Sequence, residues 1–330
     1  MRRNSGATTA RPLAPSMSKG DSLGKTLDLP AFIIGVDRMK IILAVRFTAL
    51  TIIMLVSQPL VAADRFADVD ITTQQVGKNV YMLQGAGGNI GVTSGADGTL
   101  IIDDQFAPLA GRIENALKAL GGDRPRIILN THFHGDHIGG NAEFGRTGVI
   151  IAHDNVRARL LSQDNLPTSA LPLVTFADSV TIHFNGDELA LIHLPQGHTD
   201  GDTMVWFKQA NVLHMGDQLF NGAFPYIDMP SGGSVDGYIS NLRRVIRDMP
   251  NDITIIPGHG PIADIAAVAR CLEVIEDTRR IVAHGLDAGK DDASIAADLE
   301  GYAAWGQGFI SVDRWIGIIK THLAQRGSLE

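Results

Sequence analysis

From about residue 69 onward the chain alternates short apolar runs with glycine-bearing turns. Runs such as Val80-Tyr81-Met82-Leu83 and Leu100-Ile101-Ile102, bounded by Gly77-Lys78-Asn79 and the 95–98 turn, predict strands over 75–76, 80–84, 90–93 and 100–103. The glycine-rich stretch 85–88 lacks the Lys-Ser/Thr pair of a phosphate-cradling loop and reads as a turn or flap. Leu109, Ile113, Leu117 and Leu120 share one helical stripe that Gly121-Gly122 ends, predicting a helix over 109–120. A strand over 126–130, a short helix over 155–161 and a hairpin over 174–186 follow. The second half repeats the alternation, with strands over 189–194, 203–207, 211–215 and 254–257 and helices over 234–248 and 262–284. The stretch 291–329 also reads as helical. Trp305, Phe309, Trp315, Ile319 and Leu323 are its packing positions rather than a cofactor box.

The first 63 residues break this pattern. Residues 1–38 mix Ser, Gly, Thr, Pro and basic residues without periodicity and read as disordered. Arg38, Lys40 and Arg46 then flank the apolar run 47–56, and Val61-Ala62-Ala63 places small residues where a signal peptidase reads. The expectation is a secretory signal cleaved after Ala63, working best from Met39, with residues 1–38 as an upstream extension. The alternative, an uncleaved anchor, is disfavoured because 47–63 offers only 17 uncharged residues, with Pro59 inside. Residues 64–330 then form one exported domain, periplasmic or secreted, with a helical C-terminal segment and no stable membrane anchor after processing. Removing the leader's 8 lysines and arginines and 3 acidic residues from totals of 28 and 36 takes the net charge from −8 to −13. So acidic a chain repels phosphate backbones, which argues against nucleic acid as a partner and for a small-molecule substrate. The single cysteine, Cys271, allows no intrachain disulfide and reads as a buried structural thiol.

The chemistry concentrates where apolar runs end. After Ile127-Ile128-Leu129 comes Thr131-His132-Phe133-His134-Gly135-Asp136-His137, with three histidines and one aspartate in six consecutive positions. In extended backbone His132 and His134 point to one side. Asp136 and His137, beyond the turn, face a second point nearby, so the cluster suits two adjacent metal ions better than one. His198 in Gly197-His198-Thr199, Asp217 in Gly216-Asp217 and His259 in Gly258-His259-Gly260 likewise follow predicted strands. Imidazole and carboxylate donors of this kind suit Zn²⁺, with iron or manganese also possible. His153, His183, His284 and His322 lie in ordinary element contexts and read as structural, as does His214.

Taken together and in this order, HxHxDH, GHT, GD and GHG resemble the metallo-β-lactamase superfamily from about residue 69 to the end of the chain. The resemblance implies an α/β fold, a four-layer αββα sandwich. It implies that His132, His134 and His198 hold one zinc, that Asp136, His137 and His259 hold a second, and that Asp217 bridges the two. It further implies hydrolysis of a carbonyl compound by a water shared between the metals, with Asp136 and Asp217 as catalytic carboxylates. Asp103, at the end of a strand, matches an aspartate that holds a ligand histidine, unless it is only a turn residue. The 218–229 stretch is the expected substrate wall, with Phe220, Asn221, Phe224 and Tyr226.

Departures from known members bear on substrate. Many zinc β-lactamases carry cysteine at the place of Asp217. Lactonases often carry tyrosine where Phe220 stands. The tail's Lys290, Arg314, Lys320 and Arg326 are too dispersed for a glutathione site. Export favours β-lactams, whose targets lie outside the inner membrane. The expectation is therefore an exported dizinc hydrolase of cyclic amides. The alternatives are a lactonase, esterase or thioesterase on the same scaffold, and an iron-dependent oxidoreductase.

Overall fold

Two apolar faces on the central strands dictate the layering. In the computed structural model, which describes residues 65–327, β1 (Thr72–Gly77), β2 (Val80–Gln84), β3 (Ile90–Gly95) and β4 (Gly98–Ile102) form an antiparallel meander. The two-residue β5 (Gln105–Phe106) leads into helix α1 (Ala110–Ala119). Strand β6 (Ile127–Leu129) follows, then the short helices α2 (Gly135–Ile138) and α3 (Asn141–Phe144), then β7 (Val149–His153), α4 (Asp154–Leu161) and β8 (Val174–Phe176). Strands β6, β7 and β8 add in parallel to β4, giving a seven-stranded sheet in the order β1-β2-β3-β4-β6-β7-β8.

The second sheet contains β9 (Ser179–Phe184), β10 (Asp187–His193), β11 (Thr203–Phe207), β12 (Val212–His214) and, after helix α5 (Val235–Asp248), β13 (Thr254–Ile256). Its order is β13-β12-β11-β10-β9, with only the β12–β13 pair parallel. Helices α6 (Ile265–Asp287), α7 (Asp292–Asp298) and α8 (Val312–Gly327) complete the described residues.

Neighbouring residues on a strand point to opposite faces, and here both faces are covered. Leu100 and Ile102 of β4 join Leu189, Leu191, Val205 and Phe207 in the core between the sheets. Ile101, between them, packs outward on α1 through Ile113 and Leu117. On the other side Leu213 and Ile255 face α5 and α6, while Val212 and Ile256 face inward. The result is helix, sheet, sheet, helix: the αββα sandwich that the motif order implies. No helix among the described residues is long and apolar enough to cross a membrane. The leader and its cleavage point after Ala63 lie outside the described residues.

Three local expectations are corrected. The 174–186 stretch is not a hairpin, because β8 pairs in parallel with β7 while β9 pairs with β10 in the other sheet. Phe176 and Phe184 look like cross-strand partners in sequence, yet they enter the inter-sheet core from opposite sheets. The actual hairpin turns at Asn185-Gly186, both at positive φ (54° and 76°), as a tight two-residue turn requires. Strand β7, with Val149 to Ala152 apolar, was not anticipated. The 291–329 stretch is not continuous helix: a 3₁₀ segment, Glu300–Gln307, separates α7 from α8, with Gly301, Gly306 and Gly308 in or beside it. Trp315 and Ile319 are fully buried as expected, but Phe309 is 68% exposed.

Candidate metal centre

All seven expected ligands converge where strand ends of the two sheets meet. His132 and His134 follow β6. Asp136 and His137 lie on α2, whose N-cap is His134 in extended backbone (φ −70°, ψ 144°). This short helix turns Asp136 and His137 away from the side that His132 and His134 face. His198 stands on the loop after β10, Asp217 on a 3₁₀ turn after β12 and His259 just after β13. One donor atom from each of His132, His134, His198 and Asp217 forms a first group, and one from each of Asp136, His137 and His259 a second; within each group the atoms lie within 4.8 Å of one another. Asp217 reaches both: Oδ2 is 3.4 Å from His198 Nε2 and 3.7 Å from His132 Nε2, and Oδ1 is 3.0 Å from His137 Nε2 and 3.3 Å from His259 Nε2.

The outward nitrogens of four histidines are anchored. His137 Nδ1 donates to Asp103 Oδ2 at 2.7 Å. The Thr131 hydroxyl, which donates to the same carboxylate at 2.7 Å, accepts from His132 Nδ1 at 3.0 Å. Thr131 N–H also donates to Asp103 Oδ1, so one carboxylate orients two ligand rings. Asp103 sits at φ 63°, a left-handed conformation that aspartate tolerates better than most residues. His198 Nδ1 donates to Tyr226 O at 2.7 Å and His134 Nε2 to Asp228 Oδ2 at 3.0 Å.

These anchors provide a test of metal fit. With their outer nitrogens donating, His134 Nδ1 and His198 Nε2 present lone pairs to each other at 2.8 Å. Two lone pairs at that distance repel unless a positive charge lies between them. His132 Nε2 is buried with no hydrogen-bond partner, an arrangement that native proteins rarely leave without a function, and buried Asp217 Oδ1 faces only the imidazole nitrogens of His137 and His259. Burial holds His132 well below its ordinary pKa and takes His198 to about 4, so both are neutral donors. In the second group burial is outweighed by carboxylates: Asp217 and Asp103 push His137 well up, and Asp217 and Asp136 raise His259 to about 9. Burial opposes the charge of Asp217 as well, yet His137, His259, His198 and His132 hold its pKa well below the usual range. Independently of these shifts, buried imidazole and carboxylate donors in two groups that share Asp217 fit two borderline divalent cations such as zinc.

Two glycines are required by close approach. A Cβ at Gly88 would meet His137 Cε1 at 2.1 Å, and one at Gly258 would meet Asp217 Oδ1 at 2.1 Å. The 85–88 turn is thus a backing for His137, and its Gly87 lines the cavity above the site.

That cavity, of about 760 Å³, opens over His134, Asp136, Asp217 and His259. Phe220, Asn221 and Tyr226 line it as expected, with Phe220 stacked on the His259 ring at 4.9 Å. Phe224 does not belong to the wall. It is 1% exposed, packed in the core behind sheet two and stacked on Trp315 at 5.2 Å. Phe309 takes the lip position instead, edge-on to Tyr226 at 6.0 Å. Asn221 lines the cavity with its amide donating to Pro261 O at 3.0 Å.

Residues 76–259 match the family model of the metallo-beta-lactamase superfamily. The chain belongs to that superfamily. It is 28% identical over 184 residues to the metallo-beta-lactamase type 2 of Bacteroides fragilis, covering 56% of this chain and 68% of that one. It is 30% identical over 158 residues to the hydroxyacylglutathione hydrolase GloC of Haemophilus influenzae, covering 44% and 73%. Among solved structures, a metallo-beta-lactamase from Pontibacter korlensis aligns with TM-score 0.55 at 17% identity, covering 63% of this chain and 99% of that one. The sec-alkyl sulfatase PisA1 aligns with TM-score 0.62 at 13% identity, covering 79% and 52%. These structural likenesses show the fold. Metallo-β-lactamase superfamily members are hydrolases, and this chain carries the superfamily's His/Asp metal-binding cluster.

Several supporting residues were not singled out from sequence. Asp228 lies in the loop before α5, 94 positions from the His134 it orients, and nothing local marks it. Asp202 is buried and accepts from Thr199 N–H at 2.8 Å and Gln218 Nε2 at 2.6 Å, tying the His198 turn to the Asp217 turn. Burial raises Asp202 to about 7. Its place in the Gly197–Asp202 motif was the available signal. His214 is structural as expected, donating to Asn89 O at 3.1 Å and accepting Gly216 N–H at 3.2 Å. Cys271 is buried, and burial pushes its thiol up to about 12.

Proposed function

We propose that this chain is an exported dinuclear zinc hydrolase that opens cyclic amides of the β-lactam type. The observation that carries the reading is the two ligand groups joined through Asp217, with buried His132 Nε2 free of hydrogen bonds. Bound there, two divalent ions supply an acidified water near neutral pH and a Lewis acid for the substrate carbonyl.

The chain's own residues prepare for that chemistry. Asp103, Asp228 and the Tyr226 carbonyl hold the imidazoles with lone pairs inward. Asp136, about one-third exposed at the cavity floor, lies 3.4 Å from His259 Nε2. From there its carboxylate accepts a hydrogen bond from the attacking water and aims it at the carbonyl. Phe220, Tyr226 and Phe309 supply an apolar wall that binds the substrate body and limits water.

A second reading, a lactonase, esterase or thioesterase on the same metals, is favoured by Asp217 itself and by the similarity to the H. influenzae hydroxyacylglutathione hydrolase. A hydrolysis panel separates the two: a chromogenic cephalosporin, an acyl-homoserine lactone and a thioester, each with the zinc-loaded protein. The cephalosporin is expected to show the highest kcat/KM. Turnover of only the lactone or thioester selects the second reading, and turnover of none contradicts both. Export is tested by N-terminal sequencing of the mature form, which should begin at Asp64; an intact Met1 or Met39 contradicts it.

A further inference from the structure

We propose that the substrate carries a carboxylate apart from its scissile carbonyl, and that Arg65 at the cavity rim is the group that recognises it. Among the described residues, Arg65 is the only lysine or arginine lining the cavity that also exposes Asp136 and His259. A molecule filling a space of about 760 Å³ is drug-sized and touches both rim and floor. The guanidinium stacks on two aromatic rings, with Cζ 4.5 Å from the Phe66 centroid and 4.8 Å from that of Phe106. Stacking occupies the face of a guanidinium and leaves its in-plane N–H donors available.

Those donors have no recorded oxygen partner among the described residues, and in this Arg65 differs from every other described arginine. Arg124, Arg146, Arg159, Arg243, Arg244, Arg247, Arg270, Arg279, Arg280 and Arg326 pair with carboxylates. Arg112, Arg126, Arg157 and Arg314 donate to backbone carbonyls. Arg65 is also held in place. Arg112 of α1 donates to the carbonyls of Phe66, Ala67 (3.0 Å) and Val69 (2.6 Å), and this pins the segment that carries Arg65.

The ring-stacked base, the free planar fork and the apolar surroundings match a monoanion on an apolar body. A single guanidinium binds a carboxylate through two parallel hydrogen bonds. The local positive charge also runs against a chain of net charge −8, so it attracts anions to the cavity rather than merely balancing the surface.

This inference rests on the hydrolase reading for its meaning, but its test has a binding arm that does not. Phenylacetate and phenylacetamide share one apolar body and differ in charge. Each is titrated calorimetrically into the zinc-loaded full chain, as wild type, Arg65→Ala and Arg65→Lys. In parallel, kcat/KM is measured for a cephalosporin as free acid and as methyl ester. The wild type is expected to favour the acid in both arms. Arg65→Ala is expected to lower the acid-over-neutral ratio about ten-fold, equivalent to about 1.4 kcal/mol, and Arg65→Lys to restore part of it. A ratio that Arg65→Ala leaves as in the wild type overturns the proposal, as does a wild type that binds the acid no better than the amide. Loss of the ratio in the binding arm with no turnover of either cephalosporin upholds Arg65 and contradicts the cyclic-amide reading.

Discussion

The floor and the rim of the cavity are built on different principles. On the floor, each ligand follows a strand or sits on the turn after one, and the outer nitrogens of four histidines are tied to further groups: His137 and, through Thr131, His132 to Asp103, His134 to Asp228, His198 to Tyr226 O. Burial, hydrogen bonds and mutual charge all point to one geometry. On the rim, Phe106, Tyr226, Phe309 and Arg65 come from four separate segments and make two ring contacts, Arg65 with Phe106 and Tyr226 with Phe309. The floor fixes reacting groups within tenths of an ångström, which metal chemistry needs. The rim offers apolar area and, among the described residues, one arginine without a carboxylate partner, which is enough to choose a substrate and loose enough to vary.

Substitutions break this contrast in graded steps. The largest effect is expected at Asp217, the one carboxylate that reaches both ligand groups. Asp217→Ala should lose metal and reduce kcat/KM for every substrate together by about a thousand-fold or more. Asp217→Cys should retain zinc, because thiolate prefers it, and raise the ratio of β-lactam to ester hydrolysis. Elemental analysis alongside kcat/KM for one β-lactam and one ester checks both variants. Unchanged metal content in Asp217→Ala would remove Asp217 from the ligand set.

The next test separates two phenylalanines of similar sequence setting. Phe224→Ala empties a site stacked on Trp315 and should destabilise folding by about 3–5 kcal/mol, read from denaturant unfolding. Phe309→Ala, at an exposed position, should stay within about 0.5 kcal/mol of wild type. Equal destabilisation would show that the lip is part of the core after all.

These two residues also show where sequence reading stops. Sequence places Phe224 on the wall with the rest of the 218–229 stretch, and Phe309 among the packing positions of the helical 291–329 stretch. The backbone reverses both: the 3₁₀ segment before α8 brings Phe309 back over the site, while Phe224 N–H bonds Trp305 O and its ring turns inward. The ligands themselves were legible, because a buried strand followed by a glycine turn and a histidine is a local signal. The αββα layering was implied by the order of those motifs. Strand β7, the β8–β9 crossing between sheets, Asp228 and Arg65 are not legible, since their meaning depends on partners 22 or more residues away or in another layer.

A smaller effect is expected one step behind the ligands. Asp103→Asn keeps shape but loses the charge that orients His137 and Thr131, and should weaken zinc affinity about 10- to 100-fold, measured by chelator competition. Affinity equal to wild type would reduce Asp103 to a turn residue. Smallest of all, Phe309→Ala should raise KM for an apolar substrate a few-fold, about 1 kcal/mol of lost contact, and more than it lowers kcat. A fall confined to kcat would place the lip in the chemistry instead of in binding.

The most direct test of the central claim is the metal stoichiometry of the purified, zinc-reconstituted protein by elemental analysis. With seven donor side chains in two groups joined by Asp217, the expected result is two zinc ions per chain. A ceiling of one metal per chain, whatever the zinc supplied, would contradict the dinuclear centre and the hydrolytic chemistry built on it.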